Sequence, residues 1–459
     1  MDSTSPLPGS IVHITNYYHD ASGGVGTNYD LLLREAERRG RRHSLIIPGE
    51  KTEVVQTGKF TRIYKIAARP SPLFDKRYRI MLPHQYLFHG SAIREALLTE
   101  KPDAIEIYDN YALTFLAGMT RKGYFRRLGR PMLLYFTGER FDTFFSSFVI
   151  SGRVGKWFSH LMMGNFNLAM FDYFIANSPF VAEEIFDSVD IEKRGKVSKY
   201  LFRRCWEFFH NSPADFSNRV EICPRGVDIS AFGPHLKTVE NRASICRELG
   251  ISDSAFLLIS STRLSPEKNV KLLPEIMRWL HSNSDFDFHL IIAGDGPERP
   301  TLENECRNAS PGRVSFAGHL PRQRLAEYYA NADCFIHPNP REPFGNVGLE
   351  AMASGISVVV ANSGGVLTYA NHSNAWLADP TGEGFGKAII KTASDSAEVE
   401  SKRMAALATA AENNFEASFD RLFSTYDQMY RSFLQSSYAK ETISHTRELI
   451  SKSVHTSTG

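Results

Sequence analysis

Short apolar runs alternate with longer amphipathic segments along most of the chain. Each run spans about four to eight residues and ends in turn-forming residues, as strands do in a parallel sheet that is covered by helices. In the first half this pattern predicts strands at 11–18, 43–48, 63–68, 103–109, 132–138, 173–178 and 221–226. In the second half it predicts strands at 255–261, 288–293, 314–317, 334–340, 357–361 and 374–378.

Apolar residues between the predicted strands recur at helical spacing. In the first such segment they stand at Tyr29, Leu32, Leu33 and Ala36, the pattern of a helix packed on a sheet. The two series of strands are separated near residues 234–240. The pattern therefore predicts two doubly wound α/β domains, residues 1–234 and 240–400. Terminal helices at 401–440 could pack back on the first domain, and a Ser/Thr/Lys-rich tail at 441–459 is expected to be disordered.

Composition narrows the function classes. Of the 459 residues, 42% are hydrophobic and 23% are charged, which is typical of a globular protein with ample core material. The net charge of +2 divides into +6 for residues 1–230 and −4 for residues 231–459. Because one half is net acidic and no nucleic-acid motif is found, we expect no nucleic-acid partner.

The chain carries five cysteines without a Cys-x-x-Cys pair, and its N-terminus lacks an apolar signal segment. Both features favour a reducing cytoplasmic location. The longest charge-free apolar candidate, residues 157–171, is shorter than the ~20 residues that a membrane-spanning helix needs. Basic and aromatic residues are interleaved at 76–79, 121–130 and 196–206. These segments fit either an anionic membrane surface or solvated loop and helix faces, and composition does not decide between them.

A glycine-rich turn, Ser22-Gly-Gly-Val-Gly26, stands between the first predicted strand and the first predicted helix. Such a turn lets the backbone approach a ligand closely, often a phosphate. It is not a Walker loop, because no Gly-Lys-Ser/Thr follows, and it lacks the full dinucleotide fingerprint. A tight connection with no ligand remains the alternative.

The most informative stretch runs from Arg341 to Gly355. Glu342 precedes a Gly-containing turn, and Glu350 follows after seven intervening residues in an apolar segment with helical periodicity. We expect both carboxylates to face one crevice, with an anion site between them at the helix N-terminus. Its amides would come from Gly345, Asn346 and Val347. Two ordinary surface glutamates are the alternative for this stretch taken alone.

Further polar residues follow the predicted strands, where parallel sheets bind ligands. Arg263 follows the strand at 255–261, and Lys268 stands at the entry of the next helix, so both could reach one phosphate. In the first half Asp109, Thr137 and Glu139 hold equivalent positions.

Taken together, these segments resemble the retaining nucleotide-sugar glycosyltransferases of family 4, which have the GT-B fold of two facing Rossmann-like domains. The resemblance covers about residues 255–380 and rests on 262–269, 292–297, 316–320, 342–350 and 361–365. It is looser at 23–26, 176–179 and 224–228.

The resemblance implies transfer of a hexose from a nucleotide diphosphate sugar, bound by the second domain, to an acceptor bound by the first. Arg263 and Lys268 would hold the diphosphate, Glu342 the sugar and Glu350 the ribose. The backbone of Gly345, Asn346 and Val347 would complete the grip. Gly318, His319 and Leu320 would lie near the base, and the turn at Gly24 would approach the phosphate from across the cleft. The reaction would be a front-face displacement with retention that needs neither metal nor cofactor. Asp285-Phe286-Asp287 looks like a metal-binding acidic triplet, but its polar surroundings before a strand favour a solvated loop.

Two departures leave the acceptor side open. Thr137 stands where many relatives have His, and Arg225 stands where they usually have Asn, so Asp109, Thr137 and Glu139 are all candidates. Residues 76–83 and 105–110 look like the branch that glycosylates lipids, which would place the enzyme at the inner face of a membrane with a lipid or glycan acceptor. A nucleotide-sugar 2-epimerase and a non-catalytic nucleotide-sugar binding protein are the rival interpretations.

Overall fold

The computed structural model describes residues 7–19, 24–71, 78–143, 152–394 and 397–436. Within them the chain forms two large parallel sheets. The first half contributes β1 (Ser10–Thr15), β2 (Arg42–Gly49), β3 (Glu53–Gln56), β4 (Thr61–Ala67), β5 (Arg69–Pro70), β6 (Arg79–Ile80), β7 (Ala104–Tyr108), β8 (Met132–Thr137), β9 (Tyr173–Ala176) and β10 (Val220–Ile222). The second contributes β11 (Phe256–Ser261), β12 (Phe288–Ala293), β13 (Val314–Gly318), β14 (Cys334–His337), β15 (Ser357–Ala361) and β16 (Trp376–Ala378).

Helices alternate with these strands, and most cover the faces of the sheets. Their bounds are α1 (Gly24–Arg38), α2 (His84–Leu87), α3 (Ala92–Glu100), α4 (Thr114–Arg121), α5 (Gly152–Met162), α6 (Pro179–Val189), α7 (Lys196–Phe208), α8 (Val239–Leu249), α9 (Leu272–Asn283), α10 (Arg299–Ala309), α11 (Arg322–Asn331), α12 (Asn346–Ala353), α13 (Gly382–Thr392), α14 (Ala397–Glu412) and α15 (Phe415–Gln435).

The strand order shows two doubly wound units. The first sheet runs β10-β9-β8-β7-β1-β2-β4-β3 and the second runs β13-β12-β11-β14-β15-β16. In these two sheets all neighbours are parallel except β3, which pairs antiparallel with β4, and strands β5 and β6 form a separate antiparallel pair. In both sheets the order reverses direction beside the first strand of the unit, which is where open α/β sheets form a crevice at the carboxyl ends of their strands.

Each predicted strand is present, but several ends differ. The strand predicted at 334–340 ends at His337 and the one predicted at 221–226 ends at Ile222. A proline follows each end within two residues, and proline has no N–H for a sheet ladder. Strand β3 was not predicted, because its residues are mostly exposed at the sheet edge and form no buried apolar face. The predicted turn 22–26 and segment 76–79 lie partly, and the tail 441–459 wholly, outside the described residues.

The last helix crosses back to the first sheet. Phe419, Phe423 and Tyr426 of α15 are buried in one apolar cluster with α1 and the strands β1, β2 and β7. The Tyr426 hydroxyl donates to Glu106 Oε2 at 2.5 Å. Since Glu106 is buried inside the first sheet, this bond anchors α15 on the N-terminal domain rather than beside its neighbours in sequence.

Candidate active site

A buried ion pair occupies the carboxyl edge of the second sheet. Glu342 lies on the loop after β14, and Lys268 closes the short 3-10 turn Pro266–Lys268 after β11. The Lys268 ammonium donates to both Glu342 oxygens, at 3.1 and 3.2 Å. Asn339 Nδ2 donates to Glu342 Oε2 at 3.0 Å, and His337 Nε2 lies 3.2 Å from the same oxygen. Because β11 and β14 are neighbours in the sheet, the fold itself brings the two loops together.

The contact between Lys268 and Glu342 favours the charged form of each group. Burial alone would raise the pKa of Glu342, but the Lys268 charge and the His337 contact hold it well below its usual range. Burial opposes the charge on Lys268, yet the Glu342 carboxylate keeps the Lys268 pKa above its ordinary value. An ammonium has three N–H groups, so Lys268 retains donor capacity for an anionic ligand beyond its two contacts with Glu342.

Helix α12 begins directly beside this pair. Gly345 caps it with φ +81°, in the left-handed region that favours glycine. The Tyr369 hydroxyl donates to the Gly345 carbonyl at 2.5 Å, and the Gly365 amide donates to the Glu342 carbonyl at 2.6 Å. A Cβ at Gly348 would lie only 2.3 Å from the Tyr369 hydroxyl. Tyr369 and Gly365 thus hold the start of the helix in place. The first amides of the helix lack intrahelical acceptors and therefore favour an anion.

Glu350 lies on the second turn of α12. Burial raises its pKa to about 7, against the opposing charge of Arg322. Tyr329 and Tyr369 are neighbours whose own pKa values are raised mainly by burial and further by Glu350. A carboxyl group in this setting changes charge near neutral pH and accepts hydrogen bonds from sugar hydroxyls when ionised.

The other predicted donor residues lie on loops at the same edge of the sheet. Arg263 follows β11 and is exposed. Gly318 ends β13 with φ +69°, and its carbonyl accepts from the Gly294 amide at 2.7 Å. His319 is exposed and Leu320 is half-buried. The structure therefore places these residues around the edge where Lys268 and Glu342 meet.

At the edge of the first sheet, the Asp109 carboxylate forms hydrogen bonds that hold its own loop. Its carboxylate accepts from Asn16 Nδ2 at 2.9 Å and from the amides of Tyr111 and Leu113 at 2.8 and 3.0 Å. It is buried, and burial raises its pKa in spite of these bonds. Asp109 thus shapes the turn into the segment before α4, and its hydrogen-bonding capacity is already engaged.

Thr137 and Glu139 follow β8. The Thr137 hydroxyl donates to the Glu139 carbonyl at 2.8 Å and so fixes the turn that carries Glu139. Burial raises the pKa of the Glu139 carboxyl, while Lys268 acts in the opposite direction and Glu342 adds to the increase. Glu139 therefore lies close enough to the ion pair of the other domain for both of its charges to act on the Glu139 pKa. At α1, a Cβ at Gly24 would meet no atom within 4 Å.

Several contacts of the site were not predicted, although Ser178 belongs to the segment 176–179 that carries part of the resemblance. Ser178, the N-cap of α6, donates to the Pro343 carbonyl at 2.5 Å and joins the two domains beside Glu342. His337, Asn339 and Tyr369 hold the Glu342 loop and the start of α12. Polar residues at 337 and 339, after the apolar residues of β14, were a usable signal for the first two. No local pattern points to Tyr369, which reaches the site only through the fold.

The structure also gathers Asp142, His160 and Glu184, whose potential ligand atoms lie within 4.8 Å of one another. The Arg140 guanidinium pairs with Asp142 at 2.9 Å, and His160 together with Arg140 holds the Asp142 pKa below its usual range despite burial. Glu184 accepts from the amides of Phe141 and Asp142. Asp142, Glu184 and their partners therefore form a network of ion pairs and hydrogen bonds inside the N-terminal domain.

Comparisons with known proteins match this arrangement. Residues 241–413 match the family model described as glycosyl transferases group 1. A GDP-mannose-dependent alpha-(1-6)-phosphatidylinositol dimannoside mannosyltransferase of Mycobacterium tuberculosis is 27% identical over 382 residues, which are 83% of this chain and 86% of that protein. An alpha-monoglucosyldiacylglycerol synthase of Streptococcus pneumoniae is 32% identical over 150 residues, which are 32% of this chain and 34% of that protein.

Solved structures confirm the predicted GT-B fold. Sucrose-phosphate synthase from Thermosynechococcus elongatus aligns with a TM-score of 0.67 at 17% identity, covering 92% of this chain and 100% of that one. A glycosyltransferase from Rickettsia africae aligns with a TM-score of 0.64 at 14% identity, covering 92% and 98%. Over the described part of the chain, no helix is long and apolar enough to cross a membrane.

Proposed function

We propose that the chain is a glycosyltransferase of the glycosyl transferases group 1 family, whose model matches residues 241–413. It moves a hexose from a nucleotide diphosphate sugar to a hydroxyl of a membrane lipid or a glycan, with retention and without a metal. The Lys268–Glu342 ion pair at the cleft, opposite Glu139, is the observation that carries the proposal.

In the proposed complex, the diphosphate lies between Lys268, Arg263 and the N-terminus of α12. Lys268 and Arg263 supply positive charge where the leaving phosphate becomes more negative, and the helix amides add fixed donors. Glu342 accepts from hydroxyls of the sugar and Glu350 from hydroxyls of the ribose. Two cations and a helix end neutralise the leaving group, so transfer continues in the presence of a chelator.

The proposed step is a displacement on one face of the sugar. The bond between the anomeric carbon and the diphosphate oxygen breaks, and the acceptor oxygen bonds to the same carbon from the same side. The acceptor proton passes to the leaving phosphate oxygen, and the nucleoside diphosphate departs. Because Glu342 is held ionised, its part is to orient the sugar and stabilise positive charge on the ring, rather than to transfer a proton.

The proposed donor is GDP-mannose. Similar proteins from Mycobacterium tuberculosis, Corynebacterium glutamicum and Mycolicibacterium smegmatis are named GDP-mannose-dependent. The proposed acceptor is a membrane lipid, since the names of similar proteins specify transfer to phosphatidylinositol mannosides or synthesis of a glucosyldiacylglycerol.

A surface of the N-terminal domain supports contact with an anionic membrane. Phe88, Tyr124 and Phe208 expose 65%, 53% and 60% of their area. The Lys122 ammonium lies 4.7 Å from the centre of the Phe208 ring, and Tyr124 donates to the Leu87 carbonyl beside Phe88, so these aromatic residues are neighbours. Phe208→Ser should weaken cosedimentation with phosphatidylglycerol vesicles and leave binding to phosphatidylcholine vesicles at background.

Mass spectrometry of products from GDP-, UDP- and ADP-sugars incubated with lipid extracts tests the function. The expected product is an acceptor heavier by one hexose, formed fastest from GDP-mannose and in the presence of EDTA. Turnover of a donor with no acceptor present would indicate an epimerase. Unchanged activity of Glu342→Ala would contradict the assigned site.

A further inference from the structure

Arg225 lies at the carboxyl edge of the first sheet. It follows β10 by three residues and stands between the buried Cys223 and Gly226. A Cβ added at Gly226 would lie 2.4 Å from the Asn414 carbonyl oxygen. The close packing of Gly226 fixes the backbone beside Arg225. Its guanidinium carbon lies 5.7 Å from the centre of the Phe136 ring in β8. The Arg225 side chain therefore lies over the ends of the central strands rather than extending into solvent.

The guanidinium has no acceptor. Its Nε is buried without a hydrogen-bond partner, and no described residue forms an ion pair or hydrogen bond with this side chain. Arg121 and Arg219 of the same domain each donate to backbone carbonyls. A desolvated donor without an acceptor costs about 1–3 kcal/mol, more when it is charged, so such a group calls for a partner from outside the chain.

The surroundings of Arg225 place it in the cleft. Burial raises the pKa of Tyr108 in β7 and that of Glu139, and the charge of Arg225 opposes the rise at both groups. Glu139 faces the Lys268–Glu342 pair, so Arg225 borders the same space from the N-terminal domain. The planar fork of an arginine matches the oxygens of a phosphate group better than any neutral ligand.

We propose that Arg225 is the phosphate receptor of the N-terminal domain and gives the enzyme its preference for a phosphate-bearing ligand in the cleft. The inference rests on the proposed function, within which the phosphate comes from one of two sources. It is either the headgroup phosphate of an anionic lipid acceptor or the diphosphate of the donor. In both cases Arg225 donates to phosphate oxygens.

The test compares Arg225→Gln and Arg225→Lys with the exposed Arg34→Gln on α1 as the matched control. Transfer is measured to a phosphatidylinositol mannoside and to the uncharged monoglucosyldiacylglycerol, and GDP affinity is measured by calorimetry. For the acceptor source, Arg225→Gln raises KM for the anionic acceptor at least about tenfold, the effect of one lost charged hydrogen bond, and spares GDP affinity. For the donor source, GDP affinity falls by a similar factor with either acceptor.

Unchanged KM values for both acceptors together with unchanged GDP affinity would overturn the inference. Arg225→Lys, which keeps the charge and removes the fork, should show a smaller loss of the same kind, and it serves if Arg225→Gln fails to fold. Thermal unfolding of each variant separates binding from stability. If the wild type transfers no hexose, the proposed function fails, and titration of GDP and inositol phosphate into wild type and variants still decides the role of Arg225.

Discussion

On the C-terminal side of the cleft, Glu342 receives hydrogen bonds from Lys268 and Asn339, whereas on the N-terminal side no described residue donates to the Glu139 carboxylate. The C-terminal side, which we call the donor wall, supplies the positive charge that pairs with Glu342 and holds this carboxylate in one geometry. The N-terminal side, which we call the acceptor wall, carries Glu139 and Arg225, and both have unused hydrogen-bonding capacity. We infer that the donor wall is pre-organised and that the acceptor wall is completed by the substrate, which is the difference that the following experiments examine.

The largest effect is expected at the donor wall, from Lys268→Ala. Loss of this ammonium removes a charge aimed at the leaving phosphate, so kcat/KM should fall by about 10²–10³. Calorimetry should show weaker binding of the nucleoside diphosphate. Lys271→Ala is the matched control, because Lys271 is exposed three residues away. An unchanged donor dissociation constant for Lys268→Ala would count against the phosphate assignment.

The next largest effect is expected at Gly348, where α12 packs against Tyr369. Gly348→Ala should destabilise the protein by about 1–3 kcal/mol, because the new Cβ overlaps the Tyr369 hydroxyl. Donor affinity should fall with it, since the start of α12 moves. Adding Tyr369→Phe removes the overlapping oxygen, so the double variant should recover part of the unfolding free energy in urea titrations. A double variant no better than Gly348→Ala would refute this steric origin.

The third experiment contrasts two carboxylates of the acceptor wall. Glu139→Gln should raise the acceptor KM about tenfold and leave the unfolding free energy nearly unchanged, because its carboxylate has no donor to lose. Asp109→Asn should do the reverse, since Asp109 holds two amides of its loop. Steady-state kinetics with thermal unfolding would separate the two. Equal kinetic losses would show that the wall is organised differently.

The smallest effect is a pH dependence at Glu350. The ionised form accepts from ribose hydroxyls, and burial raises the pKa of the free group to about 7. Donor affinity should therefore strengthen by up to about tenfold between about pH 6 and about pH 8, as the carboxyl loses its proton before binding. Glu350→Gln should bind the donor with an affinity that varies much less over this range. A wild-type affinity independent of pH would contradict the ribose assignment.

The same contrast explains what could be predicted from the sequence. The periodicity located each strand of both sheets that carries a site loop, and the spacing of Glu342 and Glu350 identified the donor wall. Local patterns report such features because the residues lie on one loop and helix. Long-range partners leave no such pattern, so the contact of Ser178 with Pro343 and the position of Tyr369 were missed.

On the acceptor wall, the sequence placed Asp109 and Glu139 equally at strand ends. Only the structure separates them, because the carboxylate of Asp109 accepts from amides two and four residues ahead. That capping role is a local one, and the short spacing to the next helix was its available signal. The field of Lys268 on Glu139 depends on the approach of two domains, which no local pattern encodes.

The chain crosses between the two domains twice, and the two crossings lie side by side. The Val227 amide donates to the Asn413 carbonyl at 2.9 Å, and the Phe415 amide donates to the Val227 carbonyl at 3.0 Å. The helix that follows this junction, α15, packs on the first domain in space, although it comes after the second domain in the sequence. The N-terminal domain therefore cannot complete its apolar core before α15 has been synthesised. A chain shortened after residue 413, where the family match stops, would leave the apolar seat of Phe419, Phe423 and Tyr426 open to water.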